Sequence, residues 1–263
     1  VEQGCLMRLD RYLAENGFSS RTKAARAIAE GRVLLNGRTG RASDEVKDGD
    51  SVAVRESKFA FVSEGGYKLQ KAFDDFGSDV RGCICVDLGA STGGFTDCLL
   101  QAGAERVFAV DVGKDQLDAA ICKDPRVFVL DGMNVRYLRR EDIASARIDT
   151  VTADLSFISL KLILPVISQL LDEGGSAYVL VKPQFECGGI GLNKHGILKD
   201  RKRRQDIVAD IAGAAAGCGL EPSGVTAAPI REGKNTEYIL RLKKVCRAAA
   251  VSKQFTEVVG GLE

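Results

Sequence analysis

From Gly82 to Lys244 short apolar runs alternate with amphipathic stretches, and that alternation limits the fold more than any other feature. The runs "CICVDLG", "RVFAVDV", "RVFVLD", "IDTVTADLSF" and "GSAYVLVKPQF" are interleaved with "FTDCLLQAG", "KDQLDAAIC" and "LKLILPVISQLL", and "RRQDIVADIAGAAAGCG" follows the last of them. Strand and helix in turn predict an α/β fold, a mostly parallel sheet with helices on both faces. "PSGVTAAPI" and "EYILRLKK" follow with no helix between them, which predicts an antiparallel hairpin at one edge and brings the strands to seven. Just ahead, "YKLQKAFDDFG" sets Leu69, Ala72, Phe73 and Phe76 on one helical stripe and leaves Lys68 and Lys71 off it. The expected boundaries are a small domain over 7–54, a linker over 55–65, the α/β domain over 66–245 and a tail over 246–263 without a strong pattern.

The first of these reads as a helix-helix-hairpin unit. Leu6, Leu9 and Leu13 space like a helix face, and "SSRTKAARAIAEG" is a second helix capped by Ser20 and closed by Gly31. "RVLLNGRTG" and "DGDSVAV" are short strands with Asn-Gly and Asp-Gly turns. Met7 is expected as an alternative start, which would leave Val1 to Leu6 as an upstream extension without structure. The formal net charge of +1 conceals an asymmetry: Met7 to Arg41 holds Arg8, Arg11, Arg21, Lys23, Arg26, Arg32, Arg38 and Arg41 against Asp10, Glu15 and Glu30. Arg21, Lys23 and Arg26 open a helix, where positive charge opposes the dipole. Phosphate is the natural compensating anion, so Arg8, Arg11, Arg21, Lys23, Arg26 and Arg32 are candidate RNA contacts.

Composition excludes several other classes. No apolar run reaches the roughly 18 residues of a membrane helix, and the start lacks a signal-peptide stretch, so a cytoplasmic protein is expected. The eight cysteines never take a CxxC spacing and His195 is the single histidine, so no metal centre is expected. The cysteines read as small buried hydrophobes, with Cys83 and Cys85 on one strand face.

"DLGASTGGFT", Asp87 to Thr96, joins the first strand to the next helix. A triphosphate loop needs a lysine where Phe95 stands, and a dinucleotide turn needs glycines in a register that Gly89, Gly93 and Gly94 do not share. S-adenosylmethionine fits better: the glycines permit close approach to the backbone, and an acid after the next strand can bind ribose hydroxyls. Asp87, Asp111 and Asp131 end three successive strands, at the carboxyl edge where open α/β sheets bind ligands. The candidate cofactor residues are Asp87, Gly89, Ser91, Thr92, Gly93, Gly94, Phe95, Asp111, Val112, Asp131 and Gly132.

The methyl acceptor is narrowed by what is missing. No Pro-Pro-aromatic turn follows strand four and no Pro-Cys occurs, which disfavours base amines and pyrimidine carbon five. A ribose 2'-hydroxyl must lose its proton as it attacks. A lysine ammonium 4 Å away stabilises the alkoxide by about 4 kcal/mol at an effective dielectric near 20. Lys182 ends strand five and Asp154 ends strand four, side by side at the carboxyl edge. Taken singly, Asp154 reads equally as a helix cap, Lys68 as a solvated helix residue and Glu237 as an edge-strand charge.

"RLDRYLAENGFSSRTKAARAIAEGRVLLNGR" closely resembles the ribosomal S4-like RNA-binding domain, which implies a module gripping structured RNA through phosphates and shape. From about Met7 to Lys244, through "SEGGYKL", "VDLGASTGGFTDCLL", "AVDVG", "TADLSFISL", "VKPQFE" and "GKNTEYIL", the chain resembles the TlyA (haemolysin A-like) ribosomal RNA 2'-O-methyltransferases. The resemblance implies a Rossmann-like, class I, FtsJ-like methyltransferase domain using S-adenosylmethionine and no metal, acting on a cytidine ribose of ribosomal RNA or ribosomal subunits. It also implies a catalytic tetrad of Lys68, Asp154, Lys182 and Glu237, of which the residues alone favour only Asp154 and Lys182.

"KDRKRRQD" places Arg201, Lys202, Arg203 and Arg204 at another helix start, a second candidate RNA contact beside a plain solvated helix end. Two alternative functions remain: a membrane-lytic protein, suggested by the family's other name, and an RNA-binding protein with an inactive methyltransferase fold. The first needs a long apolar span or an amphipathic strand ladder, and neither is visible. The second conflicts with an intact glycine turn and tetrad.

Overall fold

A computed structural model describes residues 7–18, 21–29, 31–55, 60–229, 233–246 and 249–263. The chain divides into two compact units, residues 1–60 and 61–263.

In the first unit β1 (Met7–Arg8) leads into α1 (Leu9–Glu15) and α2 (Arg21–Ala29), followed by β2 (Val33–Leu35), β3 (Arg38–Thr39), β4 (Glu45–Val46) and β5 (Val52–Val54). β2 pairs antiparallel with β3 and β5, while β1 pairs with β4. Asn36 and Gly37, both at positive φ, form the two-residue turn that the Asn-Gly pair predicts. Leu9 and Leu13 of α1 pack on Ala24, Ala27 and Ile28 of α2 and on Val33, Leu35 and Val46. Leu6 and Ser20 lie outside the described residues. Gly31 closes α2, its N–H donating to the Ile28 carbonyl.

The second unit opens with α3 (Glu64–Phe76) and continues as β6 (Ile84–Leu88), α4 (Gly94–Gln101), β7 (Arg106–Asp111), α5 (Ala119–Cys122), β8 (Val127–Asp131), β9 (Thr150–Ala153), α6 (Leu164–Leu170), β10 (Ser176–Val181), α7 (Pro183–Glu186), α8 (Arg201–Gly217), β11 (Leu220–Ala227), β12 (Tyr238–Lys244) and α9 (Lys253–Gly261). Its seven strands run in the order β11-β12-β10-β9-β6-β7-β8. β10, β9, β6, β7 and β8 are parallel, and β12 is antiparallel to both β10 and β11. The order reverses between β6 and β9, the switch point where such sheets leave a crevice beyond their carboxyl ends.

Strand alternation divides the core. Val86, Leu88, Val110, Val151 and Val179 face α6, α8 and α9, whereas Cys85, Val107, Ala109 and Leu180 face α3 and α4. Cys83 packs partly into the same cluster as Cys85, and the cysteines among the described residues are unpaired. Among these residues no helix is long and apolar enough to cross a membrane.

Two expected boundaries need correction. Phe61, expected in the linker, is buried against Gly66, and α3 already starts at Glu64. The stretch 246–263, expected to lack pattern, contains α9. The Ser252 side chain caps it by accepting the Phe255 N–H, and Phe255, Val259 and Leu262 complete the core on one helical stripe. Two glycines near its end hide that spacing in the sequence.

Candidate active site

The turn after β6 is forced to be glycine where it meets β9. Gly89 has φ of +82°, and a Cβ there would lie 2.8 Å from the Asp154 carbonyl oxygen and from Leu155. Gly94 opens α4 against α3, with room for nothing larger beside Ser63 and the Gly66 N–H. The turn borders two cavities. One of about 630 Å³ is lined by Gly89, Ser91, Asp111, Val112, Asn134, Asp154, Ser156 and the apolar side chains of Leu155, Ile158 and Leu162, among others. A smaller one of about 190 Å³ runs past Thr92, Gly94 and Phe95 to Lys182. Gly89, Ser91, Asp154 and Ser156 line both.

The strand-end acids divide by role. Asp111 accepts the N–H groups of Ser91 at 2.8 Å and Gly113 at 2.7 Å, which fixes the turn to the end of β7 while the residue lines the larger cavity. Asp87 departs from expectation: it is fully buried, accepting from the hydroxyls of Thr96 at 2.7 Å and Thr152 at 2.8 Å. Burial pushes its carboxyl up to about 6. It supports the turn from below and lines neither cavity. Asp131 and Gly132 also lie outside both linings; the Asp131 carboxylate accepts the Asp115 N–H and Gly132 donates to the Gly113 carbonyl. Gly93, outside both linings too, caps α4 from a left-handed conformation.

At the carboxyl edge the four candidate catalytic side chains form two ion pairs. Lys182 follows β10 and is only 8% exposed; its Nζ is ion-paired with Asp154 Oδ1 at 2.5 Å and donates to Ser156 Oγ at 2.9 Å. Lys68, on α3, donates to Glu237 Oε2 at 2.6 Å, while Gln184 Nε2 donates to Glu237 Oε1 at 3.2 Å. The register Val181↔Tyr238 between β10 and β12 places Glu237 next to Lys182 in the sheet. A carboxylate beside each ammonium compensates the cost of holding charge in a recessed site.

A family model described as FtsJ-like methyltransferase matches residues 61–244, more than half of the chain. The chain belongs to the FtsJ-like methyltransferase family. An S4 domain model matches residues 7–52. The Mycobacterium tuberculosis 16S/23S rRNA (cytidine-2'-O)-methyltransferase TlyA is 38% identical over 256 residues, covering 96% of this chain and 95% of its own length. Hemolysin A of Brachyspira hyodysenteriae is 38% identical over 236 residues, 89% of this chain and 98% of its own. The solved structure of a Streptococcus thermophilus protein described as a candidate hemolysin aligns with a TM-score of 0.75 at 35% identity, covering 97% of this chain and 95% of that one.

In this FtsJ-like methyltransferase the basic residues of the S4 unit are partly neutralised. Arg8 and Arg21 both donate to Asp10, the latter at 2.8 Å, and hold that carboxyl down at about 2. Arg11 donates to Glu15 at 2.8 Å and Arg32 to the Arg55 carbonyl at 3.2 Å. The side chains of Lys23 and Arg26 lie outside the described residues. The second basic cluster is engaged within the chain. Arg201 donates to the carbonyls of Leu262 and Gly261, Arg203 to that of Cys187, and Arg204 to the Tyr238 hydroxyl and the Lys199 carbonyl. Asp200 caps the helix, accepting the Arg203 N–H. These guanidiniums bind the chain's own oxygens, while Arg201 and Lys202, the latter paired with Asp206 at 2.8 Å, are exposed.

Ser156, Gln184, Phe157 and Phe185 are site residues of the methyltransferase that sequence reasoning missed. Phe157 has φ of +62°, and its ring, 90% exposed, lies 4.8 Å from that of Phe185, which in turn faces the Lys182 ammonium at 5.9 Å. For Phe157 the available signal was an aromatic side chain three residues after the strand-end acid Asp154.

Proposed function

We propose that this chain methylates a ribose 2'-hydroxyl of ribosomal RNA, at a cytidine, with S-adenosylmethionine as donor. The carrying observation is Lys182, clamped by Asp154 at 2.5 Å on the wall of a cavity that the glycine turn also lines. The larger cavity suits the donor: backbone at Gly89 and Ser91, an acid at Asp111 for ribose hydroxyls, and apolar flanks from Val112 and Leu162. When bound there, S-adenosylmethionine supplies an electrophilic methyl group on a sulfonium.

The chain's own residues prepare the acceptor. Lys182 stabilises negative charge developing on the ribose oxygen, Asp154 keeps that ammonium in place, and Lys68 with Glu237 forms a second charge pair alongside. The exposed ring of Phe157 offers a stacking face for an unpaired base. The S4 unit supplies cations for RNA phosphates. Agreement in length with the rRNA methyltransferase relative supports the substrate class.

Purified protein incubated with labelled S-adenosylmethionine and separated ribosomal subunits or naked rRNA is expected to label one ribose, located by mapping the modified nucleotide. Lys182→Ala should abolish labelling while donor binding persists. Normal labelling by that variant would overturn the assignment.

A further inference from the structure

We infer that Ser156 is a positioning residue that aims Lys182 at the reacting hydroxyl; this rests on the proposed role of Lys182. An ammonium carries three N–H groups. That of Lys182 donates to Ser156 Oγ at 2.9 Å and is ion-paired with Asp154 Oδ1 at 2.5 Å, both in the wall of the site. Among the described residues no other hydrogen-bond acceptor reaches Nζ, and Lys182 lines the smaller cavity, so N–H capacity is left for a ligand. An ion pair restrains an ammonium to a distance but lets it rotate about the Cε–Nζ bond. A hydrogen bond in a different direction fixes that rotation, and with it the direction of the N–H groups left for a ligand.

The local backbone places the hydroxyl. Ser156 stands between Asp154, whose carbonyl crowds Gly89, and Phe157, whose φ of +62° is rare for a non-glycine residue. The reversal in backbone direction at Phe157 lets the Ser156 hydroxyl reach Lys182 while the Phe157 ring stays in solvent. Such strain persists where the surrounding structure requires it. Ser156 also lines both cavities, so its hydroxyl marks where the compartment of the methyl donor meets that of the acceptor. Held by Asp154 and Ser156, the Lys182 ammonium stands beside this junction, where the 2'-oxygen must lie to attack.

The test compares Ser156→Ala, Ser156→Thr and Lys182→Ala in the full chain, with single-turnover methyl transfer to rRNA and donor affinity measured separately. Ser156→Ala should slow transfer by about tenfold or more with unchanged donor affinity, and Ser156→Thr, which keeps a hydroxyl, should recover most of the rate. Wild-type transfer by Ser156→Ala with an inactive Lys182→Ala would overturn the role of Ser156 and leave that of Lys182 standing. Loss of donor affinity in Ser156→Ala without rescue by threonine would also overturn it, since the hydroxyl would then act on the donor pocket. An active Lys182→Ala would remove the function on which the inference rests.

Discussion

At the scale of single residues, burial separates two strand-end acids. Asp87 and Asp154 follow similar apolar runs, yet one is sealed beneath the turn and the other faces the cavities. With its folded value raised from 3.8 to about 6, Asp87 stays protonated in the folded chain over a window where the unfolded chain already ionises it. Its contribution therefore favours folding below about pH 4 and is lost as pH rises to 6, by about 3 kcal/mol. Asp87→Asn should remove that downward slope between pH 4 and 6 in urea unfolding; an unchanged slope would show that Asp87 is not its source. Lys182 and Asp154 were legible because both stand at carboxyl ends of adjacent parallel strands. Lys68 and Glu237, 169 residues apart, were not. Their meeting depends on an antiparallel insertion that local pattern does not encode. Ser156 was hidden for a different reason, since the left-handed turn at Phe157 carries no glycine or asparagine to announce it.

Among the elements, the strand sequence of the sheet was readable from alternation alone, because parallel strands buried on both faces are continuously apolar. α8 shows what such reading leaves out. Its arginine-rich start reads as an anion site in sequence, and in the fold the same guanidiniums donate to the carbonyls of Leu262, Cys187 and Lys199. Arg201→Ala and Arg204→Ala should each lower stability by about 1–3 kcal/mol, the usual worth of hydrogen bonds from a charged donor. The salt dependence of RNA binding should be unaltered. Thermal unfolding and binding titrations from low to high salt would distinguish this from an RNA role, which would flatten the slope and spare stability. The turn before α4 makes a second demand. Gly89→Ala adds a Cβ 2.8 Å from the Asp154 carbonyl at a φ suited to glycine. It should displace Asp154 and depress methyl transfer more than tenfold, with a stability loss of about 1–3 kcal/mol, measured by single-turnover labelling and urea unfolding.

Over the whole molecule, charge is divided unequally although the sum is +1. The S4 unit concentrates arginines, and phosphate contact there should dominate the electrostatics of binding. Replacing Arg11 and Arg32 together by glutamine should reduce the slope of log affinity against log salt by about 1.5, given roughly 0.7 to 0.9 per phosphate contact. An unchanged slope would place the contacts elsewhere. The sheet order carries a consequence for biosynthesis. β12, last of the strands to be made, enters between β10 and β11, beside a strand completed more than fifty residues earlier in the chain. During synthesis, which proceeds from the N-terminus, the edge of β10 therefore waits without a partner, and "YVLV" is available for wrong pairings. The strand that closes this gap also brings Glu237 to Lys68. Closure of the sheet and completion of the charge network are thus one folding event, so a nascent chain has its glycine turn and Lys182 well before it has the Lys68–Glu237 pair.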